Sequence, residues 1–431
     1  MKQTLNTVVL LLVFLSALSC VSVSNSVPPE GRHIPDSFAG IVHGDRTGTQ
    51  KEYDLLDHMG VKWNLHTFYW ENIEPEQGVW NLGAYDAIVN NGIAADIKVL
   101  GVLAYGLTRS EGKTVRRYYV PPEQIPDFLE YVRRTAEHYR GRIGAWCIWN
   151  EPNAHFWTGT KEEFIELFRQ AADVIKEVDS EAVLLGGAFN WGPVGLPTGF
   201  IRQFFESGAM EKADGAAFHP YELNPARSAR LYNRFRRIAG DYGFGDNIWV
   251  TEVGYPTGGR YPTRVKEERF PEYIIKNWVL LTANGAKKIF WYHLFDPVER
   301  SGKNSEDFFG LVRSTEDYTS KGAEAFRLCA QYIPNSILFT RIPGQNRLPS
   351  SVRTFWFMKP DGGALVLWKD GLGSRQISLR LPGINHITHN IVSGSTSPTS
   401  LVNGTELAVN VDRNLIFITW QNDPDSLTGD Q

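Results

Sequence analysis

The chain has 431 residues and a formal net charge of −4, with apolar residues at 42% and charged residues at 21%. This composition is typical of a soluble globular protein with room for a barrel of about 250 residues and a smaller domain, and it excludes wholesale disorder and a polytopic membrane protein. Because Lys and Arg do not outnumber Asp and Glu, nucleic acid is not expected as a partner.

The first twenty residues have the order of an export signal. Lys2 precedes an apolar run from Val8 to Leu18 that is too short to span a bilayer and is closed by small residues. A buried first helix is the alternative interpretation. We predict a signal peptide over residues 1–20 and an exported protein that works in the periplasm, at the cell surface or in the medium.

Cys20 stands where a bacterial lipoprotein carries its lipidated cysteine. The residue three positions before it is Ala17, where Leu is usual, so a lipid anchor through Cys20 and free secretion both stay open. Residues 21–35 begin with a Ser-rich, proline-containing stretch, and we interpret them as a tether.

From Phe38 onward, short apolar runs alternate with longer amphipathic stretches, as in βα units around a parallel sheet. The strand candidates are 38–44, 61–68, 97–103, 143–149, 182–189, 215–219, 248–253 and 288–294. Helical stretches fall between them, and a last one at 321–332 follows the eighth strand. Eight strands, each followed by a helix, predict an α/β fold, a (β/α)8 TIM barrel, over 36–334. An open doubly wound sheet is the alternative.

After Pro334 the pattern changes to short alternating strands separated by turn residues. The candidates are 352–358, 364–368, 376–381, 387–392, 406–411 and 415–420. We predict a small C-terminal β-sandwich domain over 335–421, packed on the barrel, and a frayed tail over 422–431.

The sequence makes no case for a metal or a cofactor. Besides Cys20 it contains only Cys147 and Cys329, which we interpret as buried thiols because two are too few for a disulfide framework. It has no Cys/His cluster with zinc spacing and no glycine-rich phosphate loop followed by Lys.

Two of the predicted barrel strands end in a glutamate, Glu151 after the fourth strand and Glu252 at the end of the seventh. Barrel enzymes work at the C-terminal ends of their strands, and these two strands stand on opposite sides of the mouth, so both carboxyls can face one cavity. Glycoside hydrolysis needs such a pair, one protonated to assist the leaving oxygen and one ionised to attack the anomeric carbon. The alternative is that each glutamate caps a helix or pairs with an Arg.

With these residues the chain resembles the clan A glycoside hydrolases, most of all family 39 and neighbouring members of family 5. The resemblance covers about residues 36–334. It rests on the motifs Trp149-Asn150-Glu151-Pro152-Asn153, Thr251-Glu252, Trp63 with Trp70-Glu71-Asn72-Ile73-Glu74-Pro75, His219-Pro220-Tyr221 and Phe290-Trp291-Tyr292. Some members of these families also carry a small C-terminal β-domain.

The resemblance implies roles for four residues around the reacting bond. Glu151 would be the general acid/base, with a pKa raised by limited solvation and by its partner's charge, and Glu252 would be the nucleophile, held ionised by hydrogen bonds. Asn150 would bind the 2-hydroxyl of the sugar, and Tyr221 would donate a hydrogen bond to the nucleophile.

Further side chains complete the implied sugar site. His219 shares the strand face of Tyr221 if the strand continues that far, and a purely structural role is its alternative. Trp291 would be the platform beneath the sugar at the catalytic subsite. Trp157, together with Phe156, would stack on the next sugar unit.

One position departs from the clan pattern. After Trp63, where relatives place an Arg that supports the nucleophile, this chain has Asn64-Leu65-His66. Either His66 supplies the missing cation, or it only packs against a neighbouring helix, because one step along a strand reverses the face of a side chain.

The sequence therefore predicts a retaining glycosidase, expected to be a monomer, that acts outside the cytoplasm on a poly- or oligosaccharide. A non-catalytic carbohydrate-binding protein on the same barrel is the alternative function; the missing Arg favours it, and the two intact carboxylates speak against it. Basic residues in the loops after the third and seventh strands either meet an acidic polysaccharide or form a solvated charged face. The sugar, the linkage and endo or exo action stay open.

Overall fold

The computed structural model describes residues 31–42, 48–110, 113–192, 198–260, 264–297, 302–318, 320–342, 347–391 and 395–422. The predicted signal peptide, Cys20, most of the tether and the tail beyond Asn422 lie outside these residues. None of the described helices combines the length and the apolar character that crossing a membrane requires.

In the described residues α-helices separate the strands of the barrel, and the elements after the last α-helix are strands. The strands are β1 (Arg32–His33), β2 (Ala39–Val42), β3 (Trp63–Tyr69), β4 (Lys98–Ala104), β5 (Gly106–Ser110), β6 (Lys113–Arg117), β7 (Ala145–Ile148), β8 (Leu184–Asn190), β9 (Gly215–His219), β10 (Ile248–Val253), β11 (Lys288–Trp291), β12 (Ile337–Phe339), β13 (Val352–Lys359), β14 (Gly362–Lys369), β15 (Arg375–Arg380), β16 (Ile384–Asn390), β17 (Ser395–Pro398), β18 (Glu406–Val411) and β19 (Ile416–Gln421). The α-helices are α1 (Gln50–His58), α2 (Trp70–Ile73), α3 (Asp86–Ala94), α4 (Ile125–His138), α5 (Lys161–Val178), α6 (Thr198–Glu206), α7 (Pro225–Gly240), α8 (Phe270–Ala283) and α9 (Lys321–Tyr332).

Eight of these strands close into a parallel barrel, which confirms the predicted fold. Their order is β2, β3, β4, β7, β8, β9, β10 and β11, and β11 pairs again with β2. Each of the eight overlaps one of the strands predicted from the sequence. Cys147 in β7 and Cys329 in α9 are buried free thiols, as predicted. Because all eight strands are parallel, their C-terminal ends meet at one mouth, where the functional residues of a barrel gather.

Aromatic rings close the opposite, N-terminal end of the barrel. Trp63 of β3 meets Trp249 of β10 at 4.9 Å between ring centroids, and Phe290 of β11 packs beside both. The ammonium of Lys288 lies 4.7 Å from one indole and 4.8 Å from the other, and burial lowers its pKa to about 8. This plug leaves the mouth as the end of the barrel where side chains can meet a ligand.

The C-terminal strands form a two-layer sandwich packed on the barrel, which confirms that part of the prediction as well. One sheet has the order β1-β12-β13-β14-β19-β16-β17, and β15 pairs with β18 in the second layer. Alternate residues of β14 face different cores, as the two-residue period of a strand requires. Val366 and Trp368 join the barrel core, whereas Leu365 and Leu367 pack with side chains of β15 and β18.

The sheet begins earlier in the chain than we expected. Arg32 and His33, which we assigned to the tether, form β1 and pair with β12. Ile34 is buried, and its N–H donates to Ser336 O at 2.8 Å. A two-residue strand carries no periodic signal of its own, and its partner lies far along the chain, so the pattern around it could not reveal the pairing.

A β-hairpin after the third barrel strand is a second difference. β5 and β6 pair antiparallel in a segment where the sequence showed only a charged loop. Arg109 of β5 donates to the carbonyl of Glu74 at 3.1 Å, and Thr114 of β6 donates to the carbonyl of Pro75 at 2.5 Å. The hairpin is therefore fastened to the loop after β3, beside the barrel mouth.

Candidate active site

The chain leaves β7 through a loop whose backbone adopts an uncommon conformation. Trp149 and Glu151 have φ angles of 69° and 49°, in the left-handed region that costs a non-glycine residue about 1–3 kcal/mol. Backbone hydrogen bonds to the two neighbouring strands hold them there, from Trp149 N–H to Leu103 O and from Glu151 N–H to Ala188 O, each at 3.0 Å. β4 and β8 thus direct Glu151 into the mouth.

The rest of this loop is fixed at both ends. Asn153 Nδ2 donates to Asn190 O at 2.6 Å, and Asn190 N–H donates back to Asn153 Oδ1 at 3.0 Å. At the far end a capping box starts α5, because Thr160 Oγ1 accepts from Glu163 N–H and the Glu163 carboxylate accepts from Thr160 N–H. The loop that carries Glu151 is therefore tied to β8 and stopped by a helix.

Glu151, His219 and Glu252 meet in one buried cluster. Nδ1 of His219 lies 2.8 Å from Oε1 of Glu151 and 3.6 Å from Oε2 of Glu252. A polar atom from each of the three side chains lies within 4.8 Å of the other two, and no side chain is more than 10% exposed. The structure thus brings together the two carboxylates that the sequence placed on opposite sides of the mouth.

Two hydroxyl groups orient this cluster. Tyr221 Oη donates to Oε2 of Glu252 at 3.0 Å, which is the contact expected from the resemblance. Nε2 of His219 lies 3.0 Å from Thr251 Oγ1, so both ring nitrogens of the imidazole are engaged. His219 therefore stands between the two carboxylates.

Burial is the largest influence on the ionisation of Glu252. Together with the charge of Glu151 it outweighs the opposing charge of His219 and the hydrogen bond from Tyr221, and raises the pKa of Glu252 to about 7. Burial opposes protonation of His219, but the charges of Glu252 and Glu151 and the hydrogen bond to Glu151 raise its pKa. We expected hydrogen bonds to keep Glu252 ionised; the hydrogen bond from Tyr221 does favour the ionised form, but burial opposes it and moves the pKa upward.

The same three side chains converge with the donor atoms of a small metal site, one imidazole nitrogen and two carboxylate oxygens. These atoms are already engaged in hydrogen bonds with one another and with Tyr221. That arrangement suits proton transfer between the groups, and the expectation that the reaction needs no metal stays a prediction.

No family model matches the chain. A stretch of 88 residues is 38% identical to a β-xylosidase of Caldicellulosiruptor saccharolyticus and covers 18% of this chain and 18% of that protein. A stretch of 215 residues is 23% identical to endo-1,4-β-xylanase B of Thermotoga neapolitana and covers 46% of this chain and 60% of that protein. The matched stretches span less than two thirds of either relative.

Solved structures match over almost the whole chain. A family 39 glycoside hydrolase from Bacteroides cellulosilyticus superposes with a TM-score of 0.71 at 17% identity, over 91% of this chain and 82% of its own. A monomeric β-xylosidase from Caulobacter crescentus gives a TM-score of 0.64 at 14% identity, over 92% and 98%. The chain has the fold of the clan A glycoside hydrolases. The resemblance read from the motifs is thereby confirmed at the level of the fold.

Asn150 is partly exposed at the mouth of the barrel. Its side chain hydrogen-bonds the hydroxyl of Tyr105, a buried phenol whose pKa lies above its usual range because of desolvation. Asn150 is thus held beside Glu151 at the surface of the cavity. Its contact with the 2-hydroxyl of a sugar stays a prediction.

Trp291, the predicted platform, does not face the cavity of the barrel. Its side chain is fully buried and packs against Phe270 and Tyr255, with ring centroids 5.8 and 6.2 Å away. No ring face is left for a sugar, so this prediction was wrong. Trp291 lies on the outer face of β11, against the first turn of α8.

Trp157 is likewise a packing residue. It is 6% exposed, its ring contacts Trp149 and Phe164, and its indole N–H donates to Thr160 O at 2.8 Å. The prediction that it stacks on a sugar is therefore corrected. Phe156, its neighbour, is partly exposed, with its ring stacked on Tyr105 at 5.9 Å.

His66 lies on the outer side of β3. Trp63 points into the barrel, whereas Phe68 contacts Tyr139 outside it, and the strand's alternation places His66 on the side of Phe68. The imidazole is buried there. This arrangement corrects the prediction that His66 replaces the absent Arg beside Glu252.

Two functional candidates escaped the sequence analysis. Tyr292, one residue after the predicted platform, is partly exposed, and its ring lies 6.3 Å from that of Tyr221. Its hydroxyl donates to Oε2 of Glu306 at 2.8 Å. Tyr292 stood inside a motif that we had matched, one step out of register, whereas nothing in the sequence around Glu306 marked it.

Two of the four basic residues of the hairpin, Arg109 and Arg116, are paired with glutamates. Arg109 Nη2 lies 2.8 Å from Glu74 Oε2, and Arg116 Nη2 lies 2.6 Å from Glu71 Oε1. The Arg116 guanidinium also stacks 3.7 Å from the ring centroid of Tyr69. These pairs favour a charged face with its own partners over a surface built for an acidic polysaccharide.

Proposed function

We propose that this protein is a retaining glycoside hydrolase that cleaves O-glycosidic bonds by double displacement. The observation that carries the proposal is the distance between the two carboxylates, since an oxygen of Glu151 lies within 4.8 Å of one of Glu252. Retaining enzymes hold their carboxyl groups about 5 to 5.5 Å apart, whereas inverting enzymes need about 6.5 to 9.5 Å to admit a water molecule. A site this narrow supports direct attack by a carboxylate.

In the first step an oxygen of Glu252 attacks the anomeric carbon while Glu151 gives its proton to the leaving oxygen, so that a glycosyl ester forms as the glycosidic bond breaks. In the second step Glu151, now ionised, takes a proton from water, whose oxygen attacks the anomeric carbon and releases Glu252. Tyr221 and His219 engage Oε2 of Glu252 and Oε1 of Glu151, which leaves the other oxygen of each carboxyl for the reaction.

The place of action and the substrate are also part of the proposal. The signal-like sequence over residues 1–20 supports export, and Cys20 keeps a lipid anchor as an alternative to free secretion. Because the two curated relatives are named as a β-xylosidase and a xylanase, xylosides are the first substrates to test. A monomer is the expected state.

Proton NMR of the first product formed from an aryl β-xyloside, or from the best substrate of a panel of aryl glycosides, tests the mechanism. We expect the product to appear first with the anomeric configuration of the substrate and then to mutarotate. First appearance of the opposite anomer would remove Glu252 from the role of nucleophile. Turnover of no glycoside by the folded protein would favour the non-catalytic binding alternative.

A further inference from the structure

A third carboxylate stands at the mouth of the barrel. Glu306 lies on the short 3-10 turn Ser305–Phe308, in the segment between β11 and α9. Tyr292 Oη donates to its Oε2 at 2.8 Å, and its own N–H donates to Asn304 Oδ1 at 3.2 Å. The turn is also tied to the loop after β10, because Thr257 N–H donates to Phe308 O, the carbonyl of the last residue of the turn, at 2.9 Å. Hydrogen bonds thus fix both the carboxylate of Glu306 and the turn that carries it.

Glu306 belongs to the same cavity as the catalytic pair. Tyr292 packs edge-on to Tyr221, which in turn donates to Glu252, so a chain of two phenols joins the third carboxylate to the nucleophile. Its charge raises the pKa of Glu252, and the charge of Glu151 raises that of Glu306. The Glu306 residue is solvent-exposed, so its carboxylate can be reached from the cavity.

The charges around this cavity are predominantly negative. Glu151, Glu252 and Glu306 are close enough to act on one another, and His219 is the cation that acts most strongly on Glu252. Arg109 and Arg116 of the hairpin do not offset these charges, because each is already paired with a glutamate. A ligand that brings another carboxylate into this space meets like charges at short range.

We propose that Glu306, held by Tyr292, selects sugars that carry no carboxylate: it accepts hydrogen bonds from the hydroxyls of a neutral glycone and repels a uronic acid. A carboxylate is an acceptor with several lone pairs, which suits adjacent sugar hydroxyls that donate. The inference rests on the proposed glycosidase function. It decides between the neutral and acidic substrate classes that the sequence left open.

The test compares two substrates that differ only in the group at C5 of the sugar, an aryl β-glucoside with CH2OH and the aryl β-glucuronide with COO−. An aryl β-xyloside serves as a second neutral substrate. We expect the wild type to prefer the neutral sugars in kcat/KM by at least about 100-fold. Glu306→Gln keeps the size and the hydrogen bonds but removes the charge, and should narrow this preference at least about tenfold. Raising the salt concentration should narrow it in the wild type and not in the variant.

Two further variants separate charge from structure. Tyr292→Phe releases Glu306 but keeps its charge, so KM for the neutral sugars should rise while the glucoside-to-glucuronide ratio stays within about threefold of the wild type. Glu316→Gln removes an equal charge from an exposed residue of the same segment between β11 and α9, which forms an ion pair with Lys51 at 2.8 Å, and should leave every kinetic constant unchanged.

The outcomes of the inference and of the proposed function are distinct. The role of Glu306 is overturned if the wild type prefers the glucuronide, or if Glu306→Gln leaves the glucoside-to-glucuronide ratio of kcat/KM unchanged. In either case the proposed glycosidase function still stands. If the wild type cleaves none of the substrates, the glycosidase proposal fails. The same comparison is then made as Kd values for cellobiose and for its singly oxidised glucuronyl-glucose analogue, and equal affinities overturn the selection of neutral sugars.

Discussion

At the scale of single residues, His219 stands between the two carboxylates of the site and opposes the effect of burial on Glu252. It hydrogen-bonds Glu151 at 2.8 Å and stands 3.6 Å from Glu252. Burial raises the pKa of a carboxyl and lowers that of an imidazole, so neither charge is stable alone in this cavity, and each stabilises the other. The pKa values of Glu252 and His219 therefore depend on each other.

The two glutamates should respond differently to removal. Glu252→Ala deletes the nucleophile and should lower turnover of every substrate roughly 10⁴-fold, with azide restoring activity through an inverted glycosyl azide. Glu151→Ala should lose about 10²- to 10⁴-fold on natural glycosides but far less on substrates with good leaving groups, and azide should yield the retained glycosyl azide. Kinetics with NMR of the azide products measures both. The same anomer from both variants would show that the roles are misassigned.

The raised pKa of Glu252 makes the stability of the fold depend on pH. The folded site holds a proton that the unfolded chain releases above about pH 4.3, so stability should fall as the pH rises from about 5 towards 7 and beyond. His219 acts in the same direction, because its raised pKa gives stability that is lost as the imidazole deprotonates. Near pH 8 the folded protein should carry an ionised, desolvated Glu252.

Glu252→Gln should consequently be more stable than the wild type at pH 8, by up to about 3 kcal/mol, and the difference should shrink at pH 5. Glutamine accepts the hydrogen bond of Tyr221 without the buried charge. Thermal unfolding at both pH values measures this, with Glu316→Gln as the control for an exposed charge. An equal Tm difference at pH 5 and pH 8 would contradict the linkage to Glu252.

At the scale of elements, Glu74 joins the hairpin of β5 and β6 to the loop after β3. This carboxylate is 5% exposed. It accepts from Trp70 Nε1 at 2.8 Å and from Gly78 N–H at 2.7 Å, and Arg109 Nη2 lies 2.8 Å from it. One side chain of the Trp70–Pro75 motif thus holds the loop after β3 and the hairpin together beside the barrel mouth.

Glu74→Ala should lower the free energy of unfolding by about 3–5 kcal/mol. The substitution leaves the half-buried Arg109 without its carboxylate partner, and it removes the acceptor of the Trp70 indole N–H and of the Gly78 N–H. Glu71→Ala, which breaks the more exposed pair with Arg116, should cost less than about 1 kcal/mol. Thermal or urea unfolding of the two variants checks the contrast. Equal losses would mean that Glu74 does no more than an ordinary surface acid.

At the scale of the whole molecule, the barrel and the C-terminal sheet share one hydrophobic core. Trp368 of β14 is 5% exposed within that core, and the ammonium of Lys276 from α8 lies 5.4 Å from its ring centroid. Glu272 of the same helix is 2% exposed and accepts the N–H of Leu415 at 2.7 Å, while Lys276 donates to Arg413 O at 2.7 Å. α8 is therefore covered by the sheet on its outer side.

Because the core is continuous, the two parts should unfold together. Trp368→Ala should lower the free energy of unfolding by about 3–5 kcal/mol. Both the barrel and the sheet should then unfold at a lower temperature than in the wild type. The protein is heated with a thiol reagent, and labelling of Cys147 reports when the barrel opens. Circular dichroism follows the loss of secondary structure in the same temperature range. Leu372→Ala, at an 88% exposed position, is the control. Labelling of Cys147 that stays at the wild-type temperature would show that the barrel is independent of the sheet.

The sequence by itself determined the barrel, the sandwich and the residues Glu151, Glu252, His219 and Tyr221 as candidates. Alternating apolar runs and acids at strand ends are local features, and a closed parallel barrel leaves only one end for those acids to meet. The contact of Tyr221 with Glu252 was implied by the resemblance, through the motif His219-Pro220-Tyr221. For these features the local pattern carries the spatial information.

Only the tertiary structure decided which neighbours of those residues face the cavity. Trp291 and Tyr292 are adjacent, and a shift of one position along a strand end exchanges the buried face for the open one. His66 was misplaced for the same reason. Glu306 reaches the site through the path of a long loop, and the pKa of Glu252 depends on how completely the surrounding elements exclude water. Neither the loop path nor the desolvation is encoded in any short stretch of the chain.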